Sequence, residues 1–183
     1  AGCIDELDAA IVVGSTTPVQ MLKRELRFDE RARAWTTMFN LKNVVDTYVV
    51  EASTGITGQL LTWLSGLLFS KDGQFKKEHL ASLDDEYELF DADEISGRVD
   101  GRDVLAFLGP DVLASSSSTI VPGAFVFPTP GTVDEAVLAR RQLVAATFEN
   151  IQFASFKNLE ILRALVGHKE GRTFLLGGVT RSA

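Results

Sequence analysis

Arg140 and Arg141 are the side chains of this sequence best suited, by type and spacing, to hold an anion. Consecutive helical positions lie about 100° apart, and the residues from Val137 to Phe148 are otherwise largely apolar. One of the two guanidinium groups is therefore drawn toward a buried stripe, where it needs a carboxylate or phosphate partner. The acidic middle of the chain, a neighbouring subunit or a nucleic-acid backbone can supply it; the plainer alternative is that both tips snorkel to solvent. A second basic group comprises Lys23, Arg24, Arg27, Arg31 and Arg33, with Asp29 and Glu30 interleaved. Arg27 and Arg31 join Arg140 and Arg141 as candidate contacts to phosphate or carboxylate.

Gly14-Ser15-Thr16-Thr17 precedes an expected helix start and offers free amides to an anion. It has neither a glycine triplet nor a P-loop lysine, so a plain helix cap is the favoured reading. Asp91-Ala92-Asp93-Glu94-Ile95-Ser96 opens like a calcium loop and then fails, with Ile95, Ser96 and Arg102 at positions that need an oxygen ligand, a glycine and a bidentate glutamate. His79 and His168 have no ligand-like spacing to each other or to Cys3, which excludes the usual zinc sets. Cys3 has no base beside it to lower its pKa. Ser115 to Ser118 lack the glycine frame of a nucleophile elbow. The sequence thus offers no catalytic residue, no metal ligands and no cofactor motif, and this scarcity weighs against an enzyme.

Charge is unevenly spread. The 183 residues carry a formal net charge of −7, which argues against a surface that grips nucleic acid over its whole extent. From Asp84 to Glu94 seven carboxylates occur with no Lys or Arg, while the flanking segments are slightly basic. A single cysteine excludes a disulfide-stapled scaffold. Hydrophobic residues make up 45% and charged residues 23%, a globular composition, and the length suits one domain over residues 1–183. No secretory signal pattern opens the chain, so a cytoplasmic location, or one within an assembled particle, is expected. The uncharged window Ala52 to Ser70 is too polar for a membrane span and reads as a buried helix.

The elements that must position these groups read as mainly helical. Thr17-Pro18-Val19-Gln20 is a capping-box start, followed by Val19, Leu22, Leu26, Ala34, Met38, Leu41, Val45 and Tyr48 at three- and four-residue steps. Leu60 to Phe69 and Phe75 to Phe90 read as further helices, and Asp103 to Leu108 as a short one ended by Gly109-Pro110. Thr132-Val133-Asp134-Glu135 is a second capping box. It opens a helix of about thirty residues whose Val137, Val144, Phe148, Ile151, Leu159, Leu162 and Val166 keep one stripe until Gly167. Residues 1–16 read as an N-terminal arm in which Ile11 to Val13 suit a strand or a frayed helix. Residues 112–131 read as an extended Ser/Pro/Gly-rich connector, and 168–183 as a C-terminal arm. The fold class expected is a helical bundle with two long helices, shorter ones and few or no strands.

That architecture leads to an expectation of a self-assembling structural subunit, of coat, capsid, sheath or filament type, that packs with copies of itself. Complementary acidic and basic faces would join the copies. Asp91, Asp93 and Glu94 of the acidic block, and Phe125 and Phe127 of the connector, are its expected assembly contacts, and a few arginines leave nucleic acid possible as a partner. The alternative is a small ligand-binding or enzymatic helical domain with an apolar pocket between helices.

Overall fold

Val19, Met21 and Lys23 alternate in burial with Pro18, Gln20 and Leu22, the period of two that marks a strand with one covered face. In the computed structural model this segment is β2 (Pro18–Lys23), between β1 (Ala9–Val13) and β4 (Tyr48–Ser53). The structure describes residues 5, 8–31, 33–38, 47–71, 76, 78–95, 104–109, 122–127, 136–167 and 171–178, with side chains excepted at 91–95 and 136–138. Beyond β4 lies the edge strand β3 (Trp35–Met38), and beyond β1 lies β7 (Thr173–Gly177). The five-stranded order is β3-β4-β2-β1-β7, antiparallel except that β7 runs parallel to β1 with Ala9 opposite Thr173 and Val13 opposite Gly177.

Among the described residues three helices complete the main body: α1 (Thr57–Phe69), α2 (Glu78–Ile95) and α3 (Ala136–Val166). The 31 residues of α3 span about 46 Å, enough to serve two cores. Its last three turns lay Leu159, Leu162 and Val166 on Ile11, Val19, Met21 and Val50 of the sheet; each such side chain contributes about 1.5–3 kcal/mol of burial. Its first half packs Val144 and Ile151 against Leu61 and Leu64 of α1 and Leu83 of α2. A two-stranded hairpin, β5 (Leu105–Phe107) and β6 (Ala124–Val126), lies on the middle of α3. There Asn150 donates to Ala106 O at 2.8 Å and accepts from Leu108 N at 3.1 Å, acting as a short extra strand.

The mainly helical bundle expected from the periodicity is therefore overturned: this is an α/β fold. The helix expected from Thr17 is β2, an irregular connection, β3 and β4. Its three- and four-residue steps were an accident of residues that fall on three separate strands and the connection between the first two, with Leu41 and Val45 outside the described residues. Pro18 sits at the first position of an interior strand, where a missing amide is tolerated. The expected short helix at 103–108 is strand β5, and the connector at 112–131 contains β6. The stretches read as terminal arms contribute β1 and β7, the parallel pair. The three remaining helices fall where the apolar steps place them, α3 ending at Gly167 with φ 77°. The Thr132–Glu135 capping box, Cys3, His168 and Ser115 to Ser118 lie outside the described residues.

Candidate functional site

The carboxyl ends of the parallel pair β1 and β7 converge on one point, and open α/β sheets bind ligands at such ends. Val13 is followed by the exposed turn Gly14-Ser15-Thr16, closed by Gly14 N donating to Thr16 O at 3.0 Å. The amides of Ser15 and Thr16 have no backbone partner among the described residues. Opposite them starts α1, whose Gly58 N donates to Ser15 O at 2.8 Å. Helix and turn approach so closely that a Cβ at Gly58 would stand 2.6 Å from Ser15 Cα. On the other side Gly177, at φ 121°, lies so near Val13 that a Cβ would meet the Val13 carbonyl oxygen at 2.0 Å. Glycine is required at both positions for different reasons: contact at Gly58, contact and left-handed backbone at Gly177.

Three fully buried threonines fix this arrangement from beneath. Thr17 Oγ1 donates to Thr57 Oγ1 at 3.0 Å, and Thr54 and Thr57 share a hydroxyl–hydroxyl bond of 2.6 Å. Thr54 N also donates to Thr17 O at 3.3 Å. The end of β1–β2, the end of β4 and the first turn of α1 are thus tied at one buried node, so the turn cannot shift without breaking bonds that water does not replace.

From the turn a cleft of about 690 Å³ opens between α1 and α2. Gly14, Ser15, Gly58 and Gly178 form its backbone-rich end, and Leu61, Leu80, Leu83 and Phe148 its apolar wall. Gln59, Thr62 and Trp63 line it from α1, and Asp84 is the one ionisable side chain on it among the described residues. Among the described residues no Lys or Arg lines it. The polar groups of the turn itself are the Ser15 and Thr16 hydroxyls and their amides, which have no backbone partner among the described residues, and the positive end of the α1 dipole lies beside them. At the opposite end of the same strands Arg172 grips the buried Asp8 with two bonds of 3.0 and 2.7 Å and reaches Asp5 at 3.1 Å, holding β7 to β1.

The residues singled out in the sequence lie elsewhere. Arg140 and Arg141 converge on one carboxylate of the acidic block: their Nε atoms stand 3.1 and 2.9 Å from the two oxygens of Glu86 on α2. Arg141 makes a true hydrogen bond there, whereas the Arg140 Nε is poorly aligned and its guanidinium stacks over the Phe69 ring at 5.3 Å. The pair clamps the three helices together. Arg27 pairs with Glu25 at 2.6 Å, and both Arg27 and Arg31 lie in the β2–β3 connection, at the far end of β2 from the turn. In that connection Asp29 and Arg33 form a turn in which Arg33 gives three bonds to the Asp29 carboxylate. The guanidinium, outweighing the effect of burial and helped by the Arg33 and Arg31 amides, lowers the Asp29 pKa to about 2.

Phe125 faces inward onto Leu108 and Ala154, while Phe127 is exposed. Asp91, Asp93 and Glu94 fall in the last turns of α2, and their side chains lie outside the described residues. His79 accepts from Lys76 N at 3.2 Å. Among the described residues no group of His, Cys, Asp or Glu could hold a metal ion, and no helix is long and apolar enough to cross a membrane. Of the site itself, only Gly14 to Thr17 stood out in the sequence, and there as a cap. Thr54, Thr57, Gly58, Trp63 and Gly178 are brought to it by the sheet, and Thr57-Gly58 at a helix start was the one local signal that pointed to them.

No family model matches the chain, and no curated protein matches it in sequence. Solved structures do. Xylulose kinase from Rhodospirillum rubrum superposes with a TM-score of 0.67 at 21% identity, over 99% of this chain and 32% of the kinase. Xylulose kinase from Brucella ovis gives 0.68 at 17% identity over the same shares. Glycerol kinase from Plasmodium falciparum, solved with ADP, gives 0.63 at 18% identity over 95% of this chain and 31% of the kinase. These likenesses overturn the coat, capsid or filament subunit expected from the sequence, which rested on a bundle that is not there. The chain spans about a third of the length of the sugar kinases it matches, and its architecture is the α/β fold found within them.

Proposed function

We propose that this chain binds the polyphosphate of a nucleotide, ADP or ATP, at the Gly14-Ser15-Thr16 turn, as the nucleotide-holding part of a phosphotransferase that acts on a sugar or polyol. One observation carries the proposal: at the carboxyl ends of a parallel strand pair the exposed Gly14-Ser15-Thr16 turn, whose Ser15 and Thr16 amides have no backbone partner among the described residues, lies against the first turn of α1, and Gly14, Ser15 and Gly58 line the cleft that opens there. The fold shared with xylulose and glycerol kinases, one of them solved with ADP, supports the same reading. Phosphoryl transfer depends mainly on positioning and charge stabilisation. The chain's own groups suit that work. The Ser15 and Thr16 amides and hydroxyls donate to phosphate oxygens, the α1 dipole favours their charge, and the buried threonine node keeps the donors from reorganising. In the reaction the terminal phosphoryl of ATP passes to a hydroxyl of the acceptor, that hydroxyl loses its proton, and ADP leaves.

Isothermal titration calorimetry of the chain with ADP tests this. A saturable one-site isotherm, displaced competitively by inorganic tripolyphosphate, is expected. Absence of ADP binding up to millimolar concentration refutes the proposal.

A further inference from the structure

Trp63 is about half exposed, 54%, although an indole is normally among the better-covered side chains. It lies on the wall of the cleft one helical turn beyond Gln59, with Thr62 beside it. Gly66, one turn further on, leaves the space above it empty, since a Cβ there would meet nothing within 4 Å. The indole therefore borders an open strip of α1 that starts at the phosphate-accepting turn. Across the cleft α2 presents Leu80 and Leu83, and among the described residues the only acid on that wall is Asp84. A ligand anchored by its anion at Ser15 meets the Trp63 indole and aliphatic side chains on entering the cleft. That lining suits a flat, weakly polar ring system.

We infer that Trp63 is the stacking platform for the base of the bound nucleotide and makes the cleft prefer purines over pyrimidines. The inference rests on the nucleotide reading above and goes beyond it by naming the group that recognises the base. Stacking gains with overlap area, so a two-ring base profits more than a one-ring base, whatever its exocyclic groups. Half of the Trp63 surface is open to solvent in the free chain, so its removal leaves the core of Leu61, Leu64 and Leu83 intact.

The test uses the full chain carrying Trp35→Phe. Trp35 lies on β3 at the opposite sheet edge from β7, and its replacement leaves Trp63 the single tryptophan. ADP is expected to quench its emission saturably, whereas tripolyphosphate binds, by calorimetry, without quenching. Trp63→Ala is expected to weaken ADP binding about ten- to hundredfold, to leave tripolyphosphate within twofold, and to erase the preference for ADP over CDP. Trp63→Phe recovers most of the affinity. If Trp63→Ala binds ADP as the parent does, or loses ADP and tripolyphosphate equally, the platform assignment is overturned while the nucleotide reading stands. If the parent binds neither ligand, the nucleotide reading itself has failed.

Discussion

Replacing Gly58 by alanine adds one methyl at the point where α1 meets the β1–β2 turn. The new Cβ would lie 2.6 Å from Ser15 Cα, 3.1 Å from Gly14 O and 3.2 Å from Ser15 O, all backbone atoms that cannot rotate away. Carbon–carbon contact requires about 3.5–4.0 Å, so the turn must withdraw by about 1 Å. Alanine favours the helix by about 1 kcal/mol relative to glycine. Against this stand an overpacking cost of about 1–3 kcal/mol and about 1 kcal/mol for the strained Gly58–Ser15 hydrogen bond. The net loss is about 1–3 kcal/mol, which lowers the melting midpoint by roughly 2–10 °C in a chain of this size. Ligand affinity suffers more, because the displaced turn misaims its amides. Losing one charge-assisted bond, about 1.5–3 kcal/mol, weakens ADP binding by roughly ten- to hundredfold. Circular-dichroism melting and calorimetry with ADP read the two effects. Gly66→Ala is the control, since open space at that position lets the helical gain of about 1 kcal/mol appear as a higher midpoint. A Gly58→Ala chain that melts and binds like the parent refutes the close contact. One that melts early yet binds ADP normally refutes the turn as the anion cradle.

Thr57→Val keeps the shape of the buried node but strands the hydroxyls of Thr17 and Thr54, and urea unfolding is expected to show a loss of about 2 kcal/mol that Thr57→Ser largely avoids; equal losses for both variants contradict the network. Glu86→Gln removes the shared partner of Arg140 and Arg141 and is expected to cost about 1–3 kcal/mol, whereas the exposed Glu88→Gln stays within about 0.5 kcal/mol; similar effects from the two contradict the clamp. Asp29, with its folded-state pKa near 2 and an unfolded value near 3.9, adds stability that is in place above about pH 4 and is lost as pH falls through about 2. Carboxyl NMR titration should find that low midpoint in the parent and a return to the ordinary range in Arg33→Gln, and an ordinary midpoint in the parent rules the pairing out.

The helices were legible because their apolar residues repeat at helical spacing on the faces that they bury. Val144, Phe148, Ile151, Leu159, Leu162 and Val166 of α3 keep one stripe over about six turns, and Gly167 ends it. The sheet was obscured for physical reasons. Thr17-Pro18 satisfies a helix start and an interior strand start alike, and Val19 with Leu22 mimics a helical step. Only the alternation of Val19 and Met21 with Gln20 separates the two readings. Tyr48-Val49-Val50 carried a strand signal in its aromatic and β-branched side chains, but it stood at the end of a pattern already read as helix. β1 and β7 look like arms because the parallel pairing that joins them links residues more than 160 positions apart, a contact that no local window contains. The site inherits that blindness. Gly14 to Thr17 were visible as an anion candidate, but what distinguishes a cradle from a cap is the approach of Gly58 and Gly177, which depends on the long-range pairing. Arg140 and Arg141 drew notice for a sound reason, their need of a partner, and Glu86 supplies a carboxylate to both, joining α3 to α2.

Amide chemical-shift mapping of the isotope-labelled chain during titration with ADP bears most directly on the central claim. The largest changes are expected at Ser15, Thr16, Gly58, Thr62, Trp63 and Gly178, with Arg27, Arg31, Arg140 and Arg141 unmoved. Shifts centred on the arginines, or none at the β1–β2 turn, would contradict the account.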